Sequence, residues 1–292
     1  MRKAIVAAAI WVLSASMGFS QQSSITLSGG FGYAAGGDLN TSITGTSDYR
    51  RDIYGASGEL LPPHSGMNFN VEFMHHFAPN FGLGMGIGFF QTSKSSGPSS
   101  FSLSTPDNIT LASDYSITPK VSVVPVTLNL HYFLPVGSKG KFDLQAGFGY
   151  YVTVLDFRSQ DSLYLAYFSS SLRWTEDFTF RSTRGGLGFQ AGVGFELEVA
   201  PNVAVILNVF GRYASVSGFA GTYTYKESGD SAADETGSGY TFWFYDEKVD
   251  SKTYSQYDFY GEKPDWEGLS NVREGKVDLT GFGATLGLRI KF

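Results

Sequence analysis

The chain has 292 residues, no cysteine, 36 glycines and 16% aromatic residues, and only 16% of its residues are charged. The lack of cysteine excludes disulfides, thiolate metal sites and a lipid-modified N-terminal cysteine. The charged fraction is well below the roughly 25% of an average soluble domain, and a mean hydropathy of −0.07 excludes a bundle of membrane helices.

The chain opens on a predicted secretory signal peptide, residues 1–20. Arg2 and Lys3 form a basic start, residues 4–13 are an apolar run, and mostly small residues follow. The apolar run is well short of the ~20 residues that a membrane-spanning helix needs. We therefore expect a mature, exported chain of residues 21–292.

Eight later segments alternate apolar and polar residues with the period of two that puts side chains on opposite faces of a strand. Each segment is close to the length that a transmembrane β-strand needs, about 9–11 residues. In the clearest segment, large apolar residues alternate with glycine throughout. The eight predicted strands are 25–33, 67–77, 81–89, 121–133, 142–154, 187–197, 203–213 and 279–292.

The connections between these segments alternate strictly in length. Outer-membrane barrels have tight periplasmic turns and long extracellular loops, whereas a soluble β-sandwich does not need long loops at one end only. The pattern predicts an all-β fold, an antiparallel up-and-down transmembrane barrel of eight strands. Its three short periplasmic turns are residues 78–80, 135–141 and 200–202. Its four long extracellular loops are residues 35–66, 91–120, 156–185 and 214–277, with approximate bounds.

The last strand carries a further signal, because Leu288, Ile290 and Phe292 alternate with two basic residues and end on an aromatic ring. This segment resembles the C-terminal targeting strand that the barrel-assembly machinery reads in outer-membrane proteins. Nearly the whole mature chain resembles the small OmpA/OmpX-like outer-membrane β-barrels, with no residues left for a periplasmic peptidoglycan-binding domain. The resemblance implies a bacterial outer-membrane location, with membrane lipids and the barrel-assembly machinery as partners. It leaves function open, since the family includes anchors, adhesins, narrow pores and enzymes.

The inward face of the predicted strands carries polar and charged residues of both signs. Eight strands enclose an interior just wide enough for side chains, and buried charges need partners. We therefore expect a polar plug in the lumen. The alternation places His76, His131, Asp143, Glu196 and Arg289 near the periplasmic end and Glu72, Gln190 and Arg212 higher up.

A narrow selective channel is the alternative to a plug. The inward glycines leave volume along the wall of the barrel, through which a small solute or a proton would pass. That volume is lost if the large inward side chains fill it. The side chains in a position to do so are Met74, Phe133, Tyr151 and Phe210.

A lipid- or peptide-hydrolysing enzyme is the least favoured hypothesis. Hydrolysis needs a nucleophile, a base and an orienting group within hydrogen-bond reach. His75 and His76 point to opposite faces of one strand, and His64 beside Ser65 lacks a third member. There is also no metal-binding motif. We therefore expect no catalytic residue, no metal site and no cofactor.

The long connection 214–276 is acidic and aromatic. It carries twelve acidic and six basic residues, an excess that argues against nucleic acid as a partner. Segments 219–227, 239–247 and 251–261 have the composition of strands, so we expect a sheet that protrudes above the membrane.

Exposed aromatic residues on such a sheet would form a surface that binds an extracellular protein or glycan. The alternative is that they pack on the other loops and cap the mouth of the barrel. We therefore expect a non-enzymatic protein, either structural or surface-binding. The candidate binding aromatics are Tyr240, Phe242, Trp243, Tyr245 and Trp266.

Overall fold

The computed structural model describes residues 22–107, 109–168, 170–229 and 234–292, and the predicted signal peptide lies outside them. The described residues form fourteen strands and one helix. These are β1 Ser23–Tyr33, α1 Asp38–Tyr54, β2 Ser65–Ala78, β3 Phe81–Ser93, β4 Ser96–Ser104, β5 Ile109–Val136, β6 Gly140–Tyr167, β7 Ser170–Ala200, β8 Val203–Ser217, β9 Ala220–Gly229, β10 Asp234–Val249, β11 Lys252–Tyr260, β12 Leu269–Glu274, β13 Lys276–Asp278 and β14 Gly281–Lys291.

The predicted all-β, antiparallel class is confirmed, but a count of eight strands is too low. Most of the long connections themselves fold into strands, which adds β4 and β9 to β13. Among the described helical residues, none forms a segment that is both long enough and apolar enough to cross a membrane.

Eight of the strands, which correspond to the eight predicted segments, pair antiparallel in one continuous series. The series runs β1, β2, β3, β5, β6, β7, β8 and β14, and β14 then pairs with β1. In the last of these pairs, Ser24 lies opposite Lys291. We call these eight strands the ring. The three short turns fall where the sequence predicts them, between β2 and β3, β5 and β6, and β7 and β8.

Side chains alternate between the two faces of the ring strands as predicted. In β3, Leu83 and Ile87 are exposed whereas the glycines between them are buried. Large apolar side chains are exposed on each ring strand, and we call this outward surface the apolar belt. So large an exposed apolar surface indicates contact with something other than water. Its members include Leu27, Val71, Ile87, Leu130, Phe148, Phe189, Leu207 and Leu286.

Three ring strands continue far beyond the belt. β5 and β6 have 28 residues each and β7 has 31, roughly three times the length that spans a bilayer. At their far ends, β5 pairs with β4 and β7 pairs with β9, and the sheet runs on through β10 to β11 and β12. The predicted strands in the long connection correspond to β9, β10 and β11. We call residues 34–64, 94–120, 155–184 and 214–280 the cap.

Helix α1 belongs to the cap and packs against residues of the ring. The sequence predicts a loop at 35–66, and the structure has this helix there instead. Leu39 and Ile43 are fully buried in one apolar cluster with residues of both parts. The helix ends at Gly55, whose φ of 66° is the left-handed conformation typical of a helix C-terminus. Ring and cap therefore share a core. Its other members include Phe90, Tyr151, Phe180, Phe242, Phe259 and Leu279.

Candidate functional site

A set of charged side chains crosses the inside of the ring near the end that carries the short turns. His131 on β5 lies between two carboxylates. Its Nδ1 is 2.9 Å from Asp143 Oδ1 on β6, and its Nε2 is 3.2 Å from Glu72 Oε1 on β2. The angle at the His131–Glu72 contact does not suit a hydrogen bond, so this contact is an ion pair. Since both ring nitrogens face a carboxylate, the arrangement suits an imidazolium with a proton on each.

Arg289 on β14 continues this set. One Nη atom is 3.3 Å from Asp143 Oδ2 and the other is 2.6 Å from Glu196 Oε2 on β7. Lys291 Nζ lies 2.5 Å from Glu196 Oε1. With a charged His131, three cations face three carboxylates, and all six groups are buried. We call them the polar layer. Such pairing is what makes buried charges tolerable.

Neutral side chains complete the hydrogen bonds of the polar layer. Asn129 Nδ2 donates to Glu72 Oε2 at 2.6 Å, and Asn129 Oδ1 accepts a hydrogen bond from Gln190 Nε2 at 2.9 Å. Arg289 Nε donates to Thr26 Oγ1 at 3.0 Å. A buried network is stable only when its members are satisfied, and most of the polar groups here have a partner.

The inward glycines make room for this network. A Cβ atom at Gly84 would lie 2.8 Å from Glu72 Cδ and 3.0 Å from His131 Nε2. One at Gly82 would lie 2.8 Å from Met74 Sδ, and one at Gly283 would lie 2.6 Å from the ring of Phe210. Large neighbouring side chains therefore occupy the space above each glycine.

Apolar side chains are buried inside the ring on both sides of the polar layer. Met74 and Phe133 are buried at the end with the short turns, where Phe133 also lies 5.5 Å from the Arg289 guanidinium carbon. Phe90 and Tyr151 are buried on the cap side. The space left among the polar groups is about 70 Å³, enough for a few water molecules.

The structure brings together most of the predicted lumen residues. The sequence places Glu72 higher up, but its side chain crosses Gly84 and reaches His131. Asn129 and Lys291, which the alternation also places on the inward face, belong to the network as well. An inward position on an alternating strand is their only signal, and many lumen residues share it. The predicted members that meet here are Glu72, His131, Asp143, Gln190, Glu196 and Arg289.

Two predicted lumen residues lie outside both the polar layer and the hydrogen bonds that complete it. His76 packs on the ring of Phe133 at 5.0 Å, and its buried Nε2 has no hydrogen-bond partner among the described residues. Arg212 lies on the cap side, 4.8 Å from the ring of Phe90, and donates from Nε to Leu279 O at 2.8 Å. Arg212 is thus anchored to the backbone at the junction with the cap.

The cap divides the five candidate aromatics into buried and exposed residues. Phe242 and Tyr245 are 0% and 7% exposed, so their assignment to a surface is wrong. The reason is that β10 runs between β9 and β11 and packs into the cap core, where Phe242 lies 5.6 Å from Phe259. Those two side chains follow the alternative prediction, in which aromatics cap the mouth.

The other three aromatics lie nearer the surface. Trp266 is 49% exposed and meets Tyr260 edge-on at 5.4 Å. Trp243 is half-buried and donates from Nε1 to Tyr260 O at 3.2 Å. Tyr240 is half-buried and stacks on Tyr223 at 3.6 Å. Trp243, Tyr260 and Trp266 form a connected patch, which we call the surface aromatics.

Two further sets of predicted residues can be located. The alternating residues of the last strand, Leu288, Ile290 and Phe292, are exposed on the apolar belt. In the cap, His64 stacks on Tyr33 at 5.2 Å, and its Nδ1 lies 3.1 Å from Asn40 Nδ2. The contacts of His64 are those of a side chain that holds a loop in place.

No protein-family model matches this sequence, and no curated protein matches it. Among solved structures, the major outer membrane protein from Thermus thermophilus is 14% identical over 94% of this chain and 100% of that chain, with a TM-score of 0.37. OprG from Pseudomonas aeruginosa is 12% identical over 93% and 97%, with a TM-score of 0.36. Neisserial surface protein A is 11% identical over the same shares, with a TM-score of 0.31. The solved structures to which this chain is similar are outer-membrane β-barrel proteins.

Proposed function

We propose that this chain is a non-enzymatic protein of the bacterial outer membrane. Its ring is a closed, eight-stranded transmembrane barrel with a plugged lumen, and its cap binds a partner at the cell surface. The partner is an extracellular protein or glycan.

The pairing of the ring and its exposed surface support a membrane-spanning barrel. A strand in lipid needs partners on both edges, because no water is present to bond the free backbone groups. Each ring strand has two partners within the ring, and the apolar belt faces outward on all eight. The short turns lie at one end and the cap at the other, which matches periplasmic and extracellular sides.

The layering of the lumen is the observation that carries the proposal. Buried apolar side chains, the polar layer and a second set of buried apolar side chains follow one another along the barrel. The polar layer is bonded across five ring strands, from β2 to β14. Opening a path through it would separate buried charges from their partners, which is costly. The lumen therefore serves stability, and activity belongs to the cap.

The surface aromatics support a binding role for the cap. Tryptophan and tyrosine are enriched in binding surfaces because they offer a large apolar area and a polar group. Tyr260 and Trp266 are 39% and 49% exposed and contact each other. A partner that covers Tyr260 and Trp266 would remove the apolar area of their rings from water.

Conductance of the refolded protein in a planar bilayer tests the plugged lumen, with folding confirmed by the heat-dependent shift on a gel. A folded protein that stays silent is expected. The narrow channel remains the second candidate because of the small polar cavity that Glu72 and Arg212 line. Discrete current steps that change when Glu72→Gln is introduced would overturn the plug in favour of this channel.

Binding to arrays of extracellular proteins and glycans tests the cap, with the folded protein held in nanodiscs. Trp266→Ser should weaken binding at least about tenfold, as expected for an aromatic residue that carries much of the contact energy. Phe168→Ser is the matched control, because Phe168 is 71% exposed in the hairpin between β6 and β7. Equal losses from the two variants would count against the surface aromatics.

A further inference from the structure

A half-open cleft of about 420 Å³ lies inside the cap and borders the surface aromatics through Tyr260, which belongs to both. The far ends of β5, β6, β7 and β9 form one side and β11 forms the other. This volume is in the usual range for small-ligand sites, roughly 300–1,000 Å³. Most of its wall is aromatic, from Tyr115, Phe157, Phe178, Tyr225, Tyr257, Phe259 and Tyr260.

The aromatic wall is held rigidly. The hydroxyl oxygens of Tyr115 and Tyr257 are 2.8 Å apart, which ties β5 to β11 across the cleft. Phe157 meets Tyr257 at 5.0 Å, and Phe178 meets Phe259 at 5.3 Å. A wall locked by its own packing loses little entropy when a ligand binds.

Two carboxylates also line the cleft, and neither has a cationic partner. Glu176 accepts a hydrogen bond from Trp174 Nε1 at 3.2 Å. Asp258 accepts one from the backbone N–H of Phe259 at 2.7 Å. Within the part of the chain that the structure describes, no Lys, Arg or His forms an ion pair with either residue. The cleft thus holds excess negative charge.

A cation that touches the wall is already engaged in other contacts. Arg50 on α1 lies against the ring of Tyr115 at 5.0 Å, but its guanidinium donates to Ser99 O and to Ser113 Oγ, each at 2.9 Å. Arg50 does not line the cleft.

The charged form of Asp258 is unfavourable in this cleft. Burial raises the pKa of Asp258 to about 6, and the opposing influence is the hydrogen bond from the Phe259 amide. A carboxylate buried without a counter-charge is costly, whereas a cation supplied from outside would stabilise it.

We propose that this cleft binds a small organic ammonium ion, with Asp258 and Glu176 as counter-charges and the rings as its walls. An alkylammonium group is attracted to the faces of aromatic rings, and its alkyl part suits an apolar wall. A neutral sugar would also stack on the rings but would leave both carboxylates unpaired. The assignment rests on the proposed function, because it gives a ligand class to the cap.

Choline is the probe that tests the cleft, and its neutral carbon isostere, 3,3-dimethyl-1-butanol, is the reference. The full-length protein, refolded in detergent micelles, is titrated with each by calorimetry. Choline should bind and the isostere should bind at least about tenfold more weakly, because only the cation interacts with the carboxylates and the ring faces.

Three variants locate the binding. Asp258→Asn and Glu176→Gln should each weaken choline binding about tenfold and bring choline closer to its isostere. Glu267→Gln, which changes an exposed acid elsewhere in the cap, should leave binding unchanged. All variants are first checked for the heat-dependent gel shift, so that a misfolded chain is not counted.

Failure of this assignment differs from failure of the proposed function. A folded, silent barrel that does not bind choline, or binds choline and its isostere alike, overturns the cleft as an ammonium site and leaves the plugged barrel standing. Equal weakening by all three variants has the same meaning. A conducting barrel overturns the proposed function whether or not choline binds.

Discussion

The polar layer has buried carboxylates and the cleft has half-buried ones, and the two regions treat this charge in opposite ways. In the polar layer, Asp143 and Glu196 share Arg289, and Glu72 faces His131. In the cleft, Asp258 and Glu176 face aromatic rings. A charge at membrane depth must find its partner within the chain, whereas a charge above the membrane can take one from solution. In our proposals, this difference separates a region that serves stability from one that binds a ligand.

Replacement of Arg289 should cause the largest loss of stability. It would show how much the ion pairs of the polar layer contribute to the free energy of unfolding. Arg289→Met leaves Asp143 and Glu196 without this cation, so we expect a loss of about 3–5 kcal/mol in the free energy of unfolding. Urea unfolding in lipid vesicles, followed by the heat-dependent gel shift, measures it. A loss below about 1 kcal/mol would mean that the polar layer does not depend on its central cation.

Substitution of a lumen glycine should have the next largest effect. Gly84→Ala places a Cβ 2.8 Å from Glu72 Cδ, so the Glu72–His131 contact must shift, at a cost of about 1–3 kcal/mol. Gly261→Ala in the cap is the matched control, since nothing lies within 4 Å of its Cβ position. The same unfolding assay applies. Equal stability of the two variants would show that the lumen is more loosely filled than described.

The stability of the cap should depend on pH, because the carboxylate of Asp258 has no counter-charge. Between its ordinary pKa, about 3.9, and its folded pKa of about 6, Asp258 binds a proton in the folded cap but not in the unfolded one. The cap should therefore gain stability, on the order of 1 kcal/mol, as the pH falls from 7.5 to 5.

Resistance of the cap to a broad-specificity protease measures this dependence on pH, and Asp258→Asn should flatten it. Burial also raises the pKa of Asp161, which has the same sign of effect, so some of the slope should remain in the variant. An unchanged slope in Asp258→Asn would contradict an uncompensated charge at that position.

The smallest effect is expected for an ion pair at the outer surface of the cap. Arg158 pairs with Asp177 while its side chain is 58% exposed. Exposed pairs contribute about 0–1 kcal/mol, so Arg158→Met should leave the unfolding midpoint nearly unchanged. A loss approaching that of Arg289→Met would remove the distinction between pairs inside the ring and pairs outside it.

The ring could be predicted from the sequence because its signal is local. Alternation with a period of two is visible at Leu83, Gly84 and Met85 without knowledge of any other strand, and Pro79 and Pro201 mark two turns. The identity of the partners inside the ring is not local. It depends on the register between strands, which places Glu72 opposite Gly86 and His131 opposite Gly82, so that their side chains meet over Gly84.

The helix and the cleft could not be predicted, because both depend on tertiary contacts. Residues 38–54 are rich in Thr and Ser and contain Gly45, a composition that disfavours a helix. Contacts from other strands hold it, such as Thr46 Oγ1 donating to Gln256 Oε1 at 2.7 Å. The local signals are weak: Gly55 at the end of the helix, Asp38 in its first turn and Arg51 in its last. The cleft brings together five separate strands, so no single segment reveals it.

The pairing of β1 with β14 has a consequence for the order of assembly. These strands lie at opposite ends of the described chain, yet Ser24 meets Lys291. Contacts between such distant segments form slowly, since the loop-closure entropy must be overcome first. Hairpins such as β2–β3 and β5–β6 can form early, whereas β1 keeps a free edge until the last strand is made. That edge is a hazard for aggregation, so a chain that loses its final strand should pair with other chains rather than with itself.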